Sequence, residues 1–357
     1  MAIGSHLLVE FGYTIEEIID DGYTDVVRLK TTSGLDGELN IAKEIAATVG
    51  ETAGYLAKER PSCIIILGDR TEMLGVATAA LVSGIPVAHL HGGEATEGLV
   101  DDYVRHAITK LSFLHFVSTE AYRKRVIQMG ENPARVFSVG AIGLDNLRNY
   151  KRPSRTEVLR KLELDLDRPL IICTYHPLTL NLEQSARELD AILENLSRLS
   201  KQFSIVFTGV NGDLGNSSVR DKIAAFRRSV DTAMLFESLG TRKYFDLISI
   251  SEFVIGNSSS AIIEVPSFGV PTVDVGDRQG GRVRSESVIS VSGDYLEIEK
   301  GIELALAMKK SMDAGVQFVN PYYKKKSAAK SICEILKVFR DGKENNRSKP
   351  FFDLETI

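Results

Sequence analysis

The chain has 357 residues, 43% of them hydrophobic and 25% charged, with a formal net charge of −5 at pH 7. That length accommodates two domains of ordinary size, and the balance is that of a soluble globular protein. A negative net charge, with no basic stripe carrying interleaved aromatics, gives no reason to expect nucleic acid as a partner.

No apolar run approaches the ~20 residues that span a bilayer, so no membrane is expected. The N-terminus lacks the charged and apolar regions of a signal peptide. Cys63, Cys173 and Cys333 are far apart, and two of them sit in apolar runs. That pattern fits reduced, buried thiols rather than a disulfide frame. A cytoplasmic enzyme is the expectation.

Short apolar runs alternate with helix-period segments along the chain. In order, the pattern predicts a helix over Ile41–Glu59, a strand over Cys63–Leu67, a helix over Met73–Ser83 and a strand over Pro86–Leu90. A helix from Asp101 to Leu111, a strand over Leu114–Ser118, a helix over Glu120–Gln128 and a strand over Val136–Val139 come next. The charged segment Asn149–Pro169, which contains Pro153 and ends on a second proline, reads as a connection. Beyond it lie strands over Leu170–Thr174, Ser204–Thr208, Phe253–Ile255 and Thr272–Val275, with a helix over Glu183–Ser200. Ala328–Phe339 reads as a final amphipathic helix, and Asp341–Pro350 as a polar, frayed tail. Solidly apolar strands in β–α alternation predict parallel sheets covered on both faces. The expected architecture is α/β: two doubly wound domains with a cleft between them and ligands at the carboxyl ends of the strands.

Six segments at such positions carry chemistry. Ile255-Gly256-Asn257-Ser258-Ser259-Ser260 passes from a strand into a helix whose free backbone N–H groups and dipole favour phosphate. Glu264 follows about two turns into that helix, placed for a ribose or sugar hydroxyl; a plain serine cap is the alternative. Asp69, in Gly68-Asp69-Arg70-Thr71-Glu72, is either a helix cap or a cleft carboxylate. In His89-Leu90-His91-Gly92-Gly93-Glu94, strand alternation puts the two histidines on one face. They could form half of a metal site, but no further ligand lies at a fitting spacing. Glu94 and Glu97 add carboxylates to the same loop. Asp101 and Asp102 open a helix, either as dipole complements or, with Asp102 one turn from His106, as part of an acid–base pair. His176, in Thr174-Tyr175-His176-Pro177, ends a strand and is expected to face the cleft. The loop holding Arg278, Arg282 and Arg284 suits a diphosphate, with a solvated surface loop as the alternative.

Taken together and in their order along the chain, these segments resemble the hydrolysing UDP-N-acetylglucosamine 2-epimerases, from about Gly4 to Leu336. The resemblance implies a GT-B-like fold with domains over 1–150 and 165–325 and a final helix, 326–340, crossing back to the first. It implies conversion of a UDP- or GDP-linked 2-acetamido sugar and water into the free C2 epimer and nucleoside diphosphate, through a glycal, without metal or redox cofactor. It assigns acid–base roles to Asp69, Asp101 and Asp102 and diphosphate contact to His176, and it counts His91, which stands where the non-hydrolysing relatives have a glutamate, among the catalytic residues. Ser258, Ser259 and Glu264 fall at the nucleotide site, Arg278 and Arg282 border it, and Asn211 matches an Asn-containing loop. His6, Arg70, Glu94 and Arg105 complete the implied binding set. Family members open with a strand and a Gly-Thr-Arg-x-Glu turn. Met1-Ala2-Ile3-Gly4-Ser5-His6, with Glu10-Phe11-Gly12 after it, resembles the end of their second strand, so a first strand–helix unit is expected to be missing. A homodimer or homotetramer is expected. The competing readings are a GT-B glycosyltransferase, a non-hydrolysing epimerase, and a catalytically impaired nucleotide-sugar binder.

Overall fold

A computed structural model of the chain describes residues 1–9, 13–31, 37–96, 100–165, 167–178, 181–209, 216–237, 239–341 and 348–354. In chain order the elements are α1 (Ile15–Asp20), α2 (Glu38–Glu59), β1 (Ile64–Leu67), α3 (Thr71–Val82), β2 (Val87–Leu90), α4 (Val100–Leu111), β3 (Leu114–Val117), α5 (Glu120–Gln128) and β4 (Val136–Ser138). Then come α6 (Arg155–Lys161), β5 (Leu170–Thr174), α7 (Leu182–Leu199), β6 (Ser204–Thr208), α8 (Asn216–Ser229), β7 (Ala233–Phe236) and α9 (Gly240–Ile250). β8 (Ser251–Gly256), α10 (Ser259–Ile263), β9 (Thr272–Val275), β10 (Val288–Val291), α11 (Tyr295–Asp313) and α12 (Ala328–Asp341) complete the order. The chain divides into two compact units. The first comprises Met1–Ala95, Val100–Asp145 and Lys324–Ile357; the second comprises Thr96–Leu99 and Asn146–Tyr323.

The first unit is built on a parallel sheet of order β1-β2-β3-β4. Ile64, Ile66 and Val87 pack with Leu56 of α2, Val76 of α3 and Ile108 of α4 on one face. Ala88, Leu90, Leu114 and Phe116 pack with Ala328 and Ile332 of α12 on the other. Burying each large aliphatic residue contributes about 1.5–3 kcal/mol, which is why uninterrupted apolar strands mark this arrangement. β1 departs from it: Ile65 and Leu67 remain 54% and 55% exposed, although Ile64 and Ile66 are buried. Ala2 makes an isolated parallel bridge to Arg28.

Helix α12 is fastened at its start by Asp145. The carboxylate accepts from Ser327 Oγ at 2.8 Å and from the N–H groups of Ala328 and Ala329 at 3.1 and 2.8 Å. It thus satisfies first-turn donors and complements the helix dipole. Asp145→Ala is expected to cost about 1–2 kcal/mol, read as a lowered midpoint in urea unfolding. An unchanged midpoint would dismiss the cap.

The polar tail differs from expectation. Residues 342–347 lie outside the described residues, but Lys349 reaches the buried Glu131 carboxylate at 2.8 Å and the carbonyl of Lys110 at 2.7 Å. Glu131 also accepts from Lys110 at 2.7 Å and from the fully buried His115 at 2.9 Å. Phe352 N–H donates to the Gly130 carbonyl. A polar segment is held here because one buried carboxylate needs cationic partners. Burial alone would raise the Glu131 carboxyl, but the bonds from His115, Lys110 and Lys349 outweigh it and hold it at about 2. Burial also holds His115 below its ordinary value. Both groups are depressed in the folded chain, so their stabilisation is complete at high pH and is lost as pH falls. For Glu131 the window runs from about 4.5 down to about 2. Glu131→Gln should therefore lower the melting temperature at pH 7 and flatten its pH dependence below about 4.5. Parallel melting curves for variant and wild type across that window would count against the cluster.

The second unit has a parallel sheet of order β10-β9-β8-β5-β6-β7. Its two faces carry separate cores, Ile171, Leu189, Phe207 and Ile302 on one and Ile172, Val206, Leu247 and Val254 on the other. The stretch read as a connection contributes α6, whose Val158 and Leu159 are buried in the second of these cores. The chain runs outward from β5 to β7 and returns beside β5 as β8, so the direction of winding reverses between β5 and β8. Among the described residues no helix is long and apolar enough to cross a membrane. The cysteines are free, but only Cys173 is buried; Cys63 is half-buried and Cys333 is exposed on α12.

Candidate functional site

In the first unit the candidate residues collect around two anchors beyond the ends of β1 and β2. The first is Arg105 of α4, 1% exposed. Its guanidinium donates to Asp69 after β1, to Asp102 Oδ1 at 2.8 Å and to the Glu94 carbonyl at 3.1 Å. One buried cation thus gathers two carboxylates that keep 26% and 30% side-chain exposure. His106 Nε2 lies 3.6 Å from Asp102 Oδ2. The expected Asp102–His106 pair is therefore looser than the Asp102–Arg105 pair one helical step away. Asp101 stands half-buried in the same first turn of α4.

The second anchor is Glu94, 2% exposed. Glu94 Oε1 lies 2.7 Å from His91 Nδ1 and accepts from Ser118 Oγ at 2.7 Å. A carboxylate on Nδ1 places the proton of a neutral ring there and leaves Nε2 as a base. His91 follows the last residue of β2 with φ 64°. Gly93, at φ +76°, tolerates no side chain: a Cβ would lie 2.8 Å from the Tyr122 carbonyl and 2.7 Å from Val126.

In the second unit the candidates stand at the carboxyl ends of β5, β8 and β9. Tyr175 is fully buried, with its hydroxyl 2.7 Å from Glu188, and fixes the chain just before His176. Ser258 is 8% exposed; Ser260 donates to the Tyr244 hydroxyl at 2.8 Å. The loop after β9 is packed rather than solvated: Arg278 and Arg282 are 7% and 8% exposed. Arg284 meets the buried Asp274 at 2.9 Å and the Gln279 carbonyl at 2.8 Å. Three guanidinium groups in a closed loop suit an oxyanion.

The model of the UDP-N-acetylglucosamine 2-epimerase family matches residues 1–337. The chain belongs to this family. It is 37% identical over 290 residues to the hydrolysing GDP/UDP-N,N'-diacetylbacillosamine 2-epimerase of Campylobacter jejuni, a match covering 81% of this chain and 75% of that protein. It is 33% identical over 351 residues to the polysialic acid biosynthesis protein P7 of Escherichia coli, covering 98% of this chain and 88% of that protein. Among solved structures, the UDP-GlcNAc 2-epimerase of Neisseria meningitidis bound to UDP-GlcNAc superposes with a TM-score of 0.70 at 19% identity, covering 92% of this chain and 97% of that one. The fold is therefore α/β and GT-B-like, as expected.

Within this epimerase some expected placements change. The two histidines of His-x-His do not share a face, because alternation ends with the strand and His91 turns left-handed. His89 is fully buried instead, with Nε2 2.8 Å from the Gly68 carbonyl and Nδ1 3.1 Å from Thr109 Oγ1. Burial pushes its ring down to about 3, so it is neutral and supports the Gly68–Asp69 turn. Among the described residues no group of three or more His, Cys, Asp or Glu side chains is placed to hold a metal. Helix α10 has five residues and gives way to a 3-10 turn over Val265–Phe268, because Pro266 cannot continue it. Glu264 thus caps the helix end rather than lying two turns inside. Arg70 pairs with Glu72 at 3.0 Å in the first turn of α3, and His6 Nδ1 lies 2.7 Å from Thr14 Oγ1. Asn211 with its loop, Glu97 and Glu10-Phe11-Gly12 lie outside the described residues. Ser118 carries no signal in the sequence, since its partner Glu94 lies 24 residues away. A cavity of about 640 Å³ lined by Phe113, Phe137, Ile335 and Phe339 contains none of the candidate residues.

Proposed function

We propose that this chain is a hydrolysing nucleotide-sugar 2-epimerase. It takes UDP-N-acetylglucosamine, or a related UDP- or GDP-linked 2-acetamido sugar, and water to the free 2-epimer and nucleoside diphosphate. The observation that carries the proposal is the likeness to the C. jejuni hydrolysing enzyme, 37% identical over 81% of this chain. In the first half-reaction a base removes the C2 proton while the C1–oxygen bond breaks, its electron pair leaving with the diphosphate; a C1=C2 glycal remains. In the second, water supplies hydroxide to C1 and an acid returns a proton to C2 on the opposite face. Asp69, His91, Asp101 and Asp102 are the groups suited to these transfers, with Glu94 orienting His91 and Arg105 holding the two aspartates. His176, Ser258, Ser259, Arg278 and Arg282 suit the departing diphosphate, and Glu264 the ribose.

The kinship with a protein of polysialic acid biosynthesis and with diacetylbacillosamine epimerases supports a place in sialic or legionaminic acid synthesis. A homodimer or homotetramer in the cytoplasm, acting without metal or cofactor, belongs to the same reading. Proton NMR in D₂O with UDP-N-acetylglucosamine, then with the GDP-linked and 4-acetamido analogues, tests it. Free 2-epimer with deuterium at C2, plus nucleoside diphosphate, is the expected product. A nucleotide-linked epimer would point to the non-hydrolysing reaction, and no release from any substrate would defeat the proposal.

A further inference from the structure

The winding of the second sheet reverses between β5 and β8, and the loops leaving these two strands carry His176 and Ser258. The last residue pair of the ladder there is Thr174 with Gly256. Gly256, at φ +135°, brings β8 so close that a Cβ would lie 1.9 Å from the Thr174 oxygen. Beyond that pair one side chain takes over. Asn257 has no exposed surface. Its Oδ1 accepts the His176 N–H at 2.7 Å, and its Nδ2 donates to the His176 carbonyl at 2.8 Å. An amide group thus pairs with both backbone polar groups of His176, the contact a neighbouring strand would otherwise make.

The main chain of the same residue serves other partners. Its N–H donates to the Thr174 carbonyl at 3.1 Å, and its carbonyl accepts from Arg278 at 3.2 Å and from Gln279 Nε2 at 2.7 Å. The side chain holds the His176 segment and the backbone holds the arginine loop, so a substitution can cut one and spare the other. Buried, and bonded through both its oxygen and its nitrogen, the amide defines one geometry: aspartate would keep the acceptor but set a carboxylate oxygen against the His176 carbonyl, and an apolar residue would leave both His176 groups unmatched.

We infer that Asn257 is the positioning residue that sets the His176 imidazole for turnover, by clamping its backbone across the β5–β8 switch point. The inference rests on the role proposed above for His176. It is tested on the full chain with Asn257→Ala, Asn257→Asp, His176→Ala and the double variant Asn257→Ala/His176→Ala. Asn257→Ala should lower kcat at least ~10-fold while UDP affinity by calorimetry stays within ~3-fold. In the His176→Ala background it should cost less than ~2-fold more, since residues acting as a unit are not additive. Hydrogen–deuterium exchange at the His176 amide should rise in the variant. Asn257→Asp, which keeps the volume, should show the same pattern and serves if the alanine variant fails to fold. Losses that multiply in the double variant, a parallel collapse of UDP affinity, or unchanged exchange at His176 would overturn the assignment. If the wild type releases no nucleoside diphosphate from any nucleotide sugar, the functional proposal fails on its own, and the exchange data still judge the clamp.

Discussion

Arg105→Met is expected to lower the melting temperature by roughly 4–12 °C and to reduce turnover at least ~10²-fold. The stability loss follows from what the guanidinium neutralises. Arg105 is 1% exposed and donates to Asp69, Asp102 and the Glu94 carbonyl. Removing it leaves two carboxylates and a carbonyl facing a methionine. Breaking a fully buried pair costs about 3–5 kcal/mol; the aspartates keep part of their hydration, so about 2–3 kcal/mol is the fitting range here. The loss of turnover follows from geometry, because the two aspartates would repel each other out of place. Arg105→Lys should recover part of the stability but little of the rate, since an ammonium lacks the fork that reaches several acceptors at once. Thermal melts and turnover of the two variants decide the matter; wild-type values for Arg105→Met would refute the arrangement.

Asp102→Asn is expected to cut turnover at least ~10²-fold while leaving UDP affinity within ~2-fold and the fold intact. The asparagine keeps the acceptor that faces Arg105 at 2.8 Å, so the helix start and its neighbours stay where they are. What disappears is a group able to take and return a proton, and with it the charge opposite His106. Steady-state rates alongside calorimetry with UDP separate the two effects. A near-normal rate would assign the proton transfers to other residues, and a matching loss of affinity would make Asp102 a binding group.

The sequence is most readable where burial is two-sided. β5 is buried at every position, and its run Leu-Ile-Ile-Cys-Thr marks the strand at its full length. β7 and β10 carry no such mark, and the sheet order says why: they are the two edges of the six-stranded sheet, and most of their residues are only half-buried. An edge strand needs neither a solid apolar run nor a clean alternation, so it leaves a weak trace. At the candidate site, residues at strand ends were legible because chain direction and strand position predict where a parallel sheet presents its ligands. Residues that act through a distant partner were not. Asn257 reads as one letter in a serine-rich turn until His176, 81 positions away in sequence, is seen beside it. The anchored tail is the same case, since nothing local marks Lys349 as the partner of a buried glutamate.

The bare side of β1 bears on how this protein behaves in concentrated solution. Its four residues, Ile-Ile-Ile-Leu, carry no charge, and among the described residues no strand pairs with its outer edge. Two of the four side chains stand more than half exposed. Soluble proteins ordinarily blunt such a border with a lysine, a proline or a bulge, and β1 has none of these. Solvent-facing isoleucine and leucine on an uncharged border strand are what favours edge-to-edge self-association, and a lysine in place of Ile65 is the kind of change that opposes it.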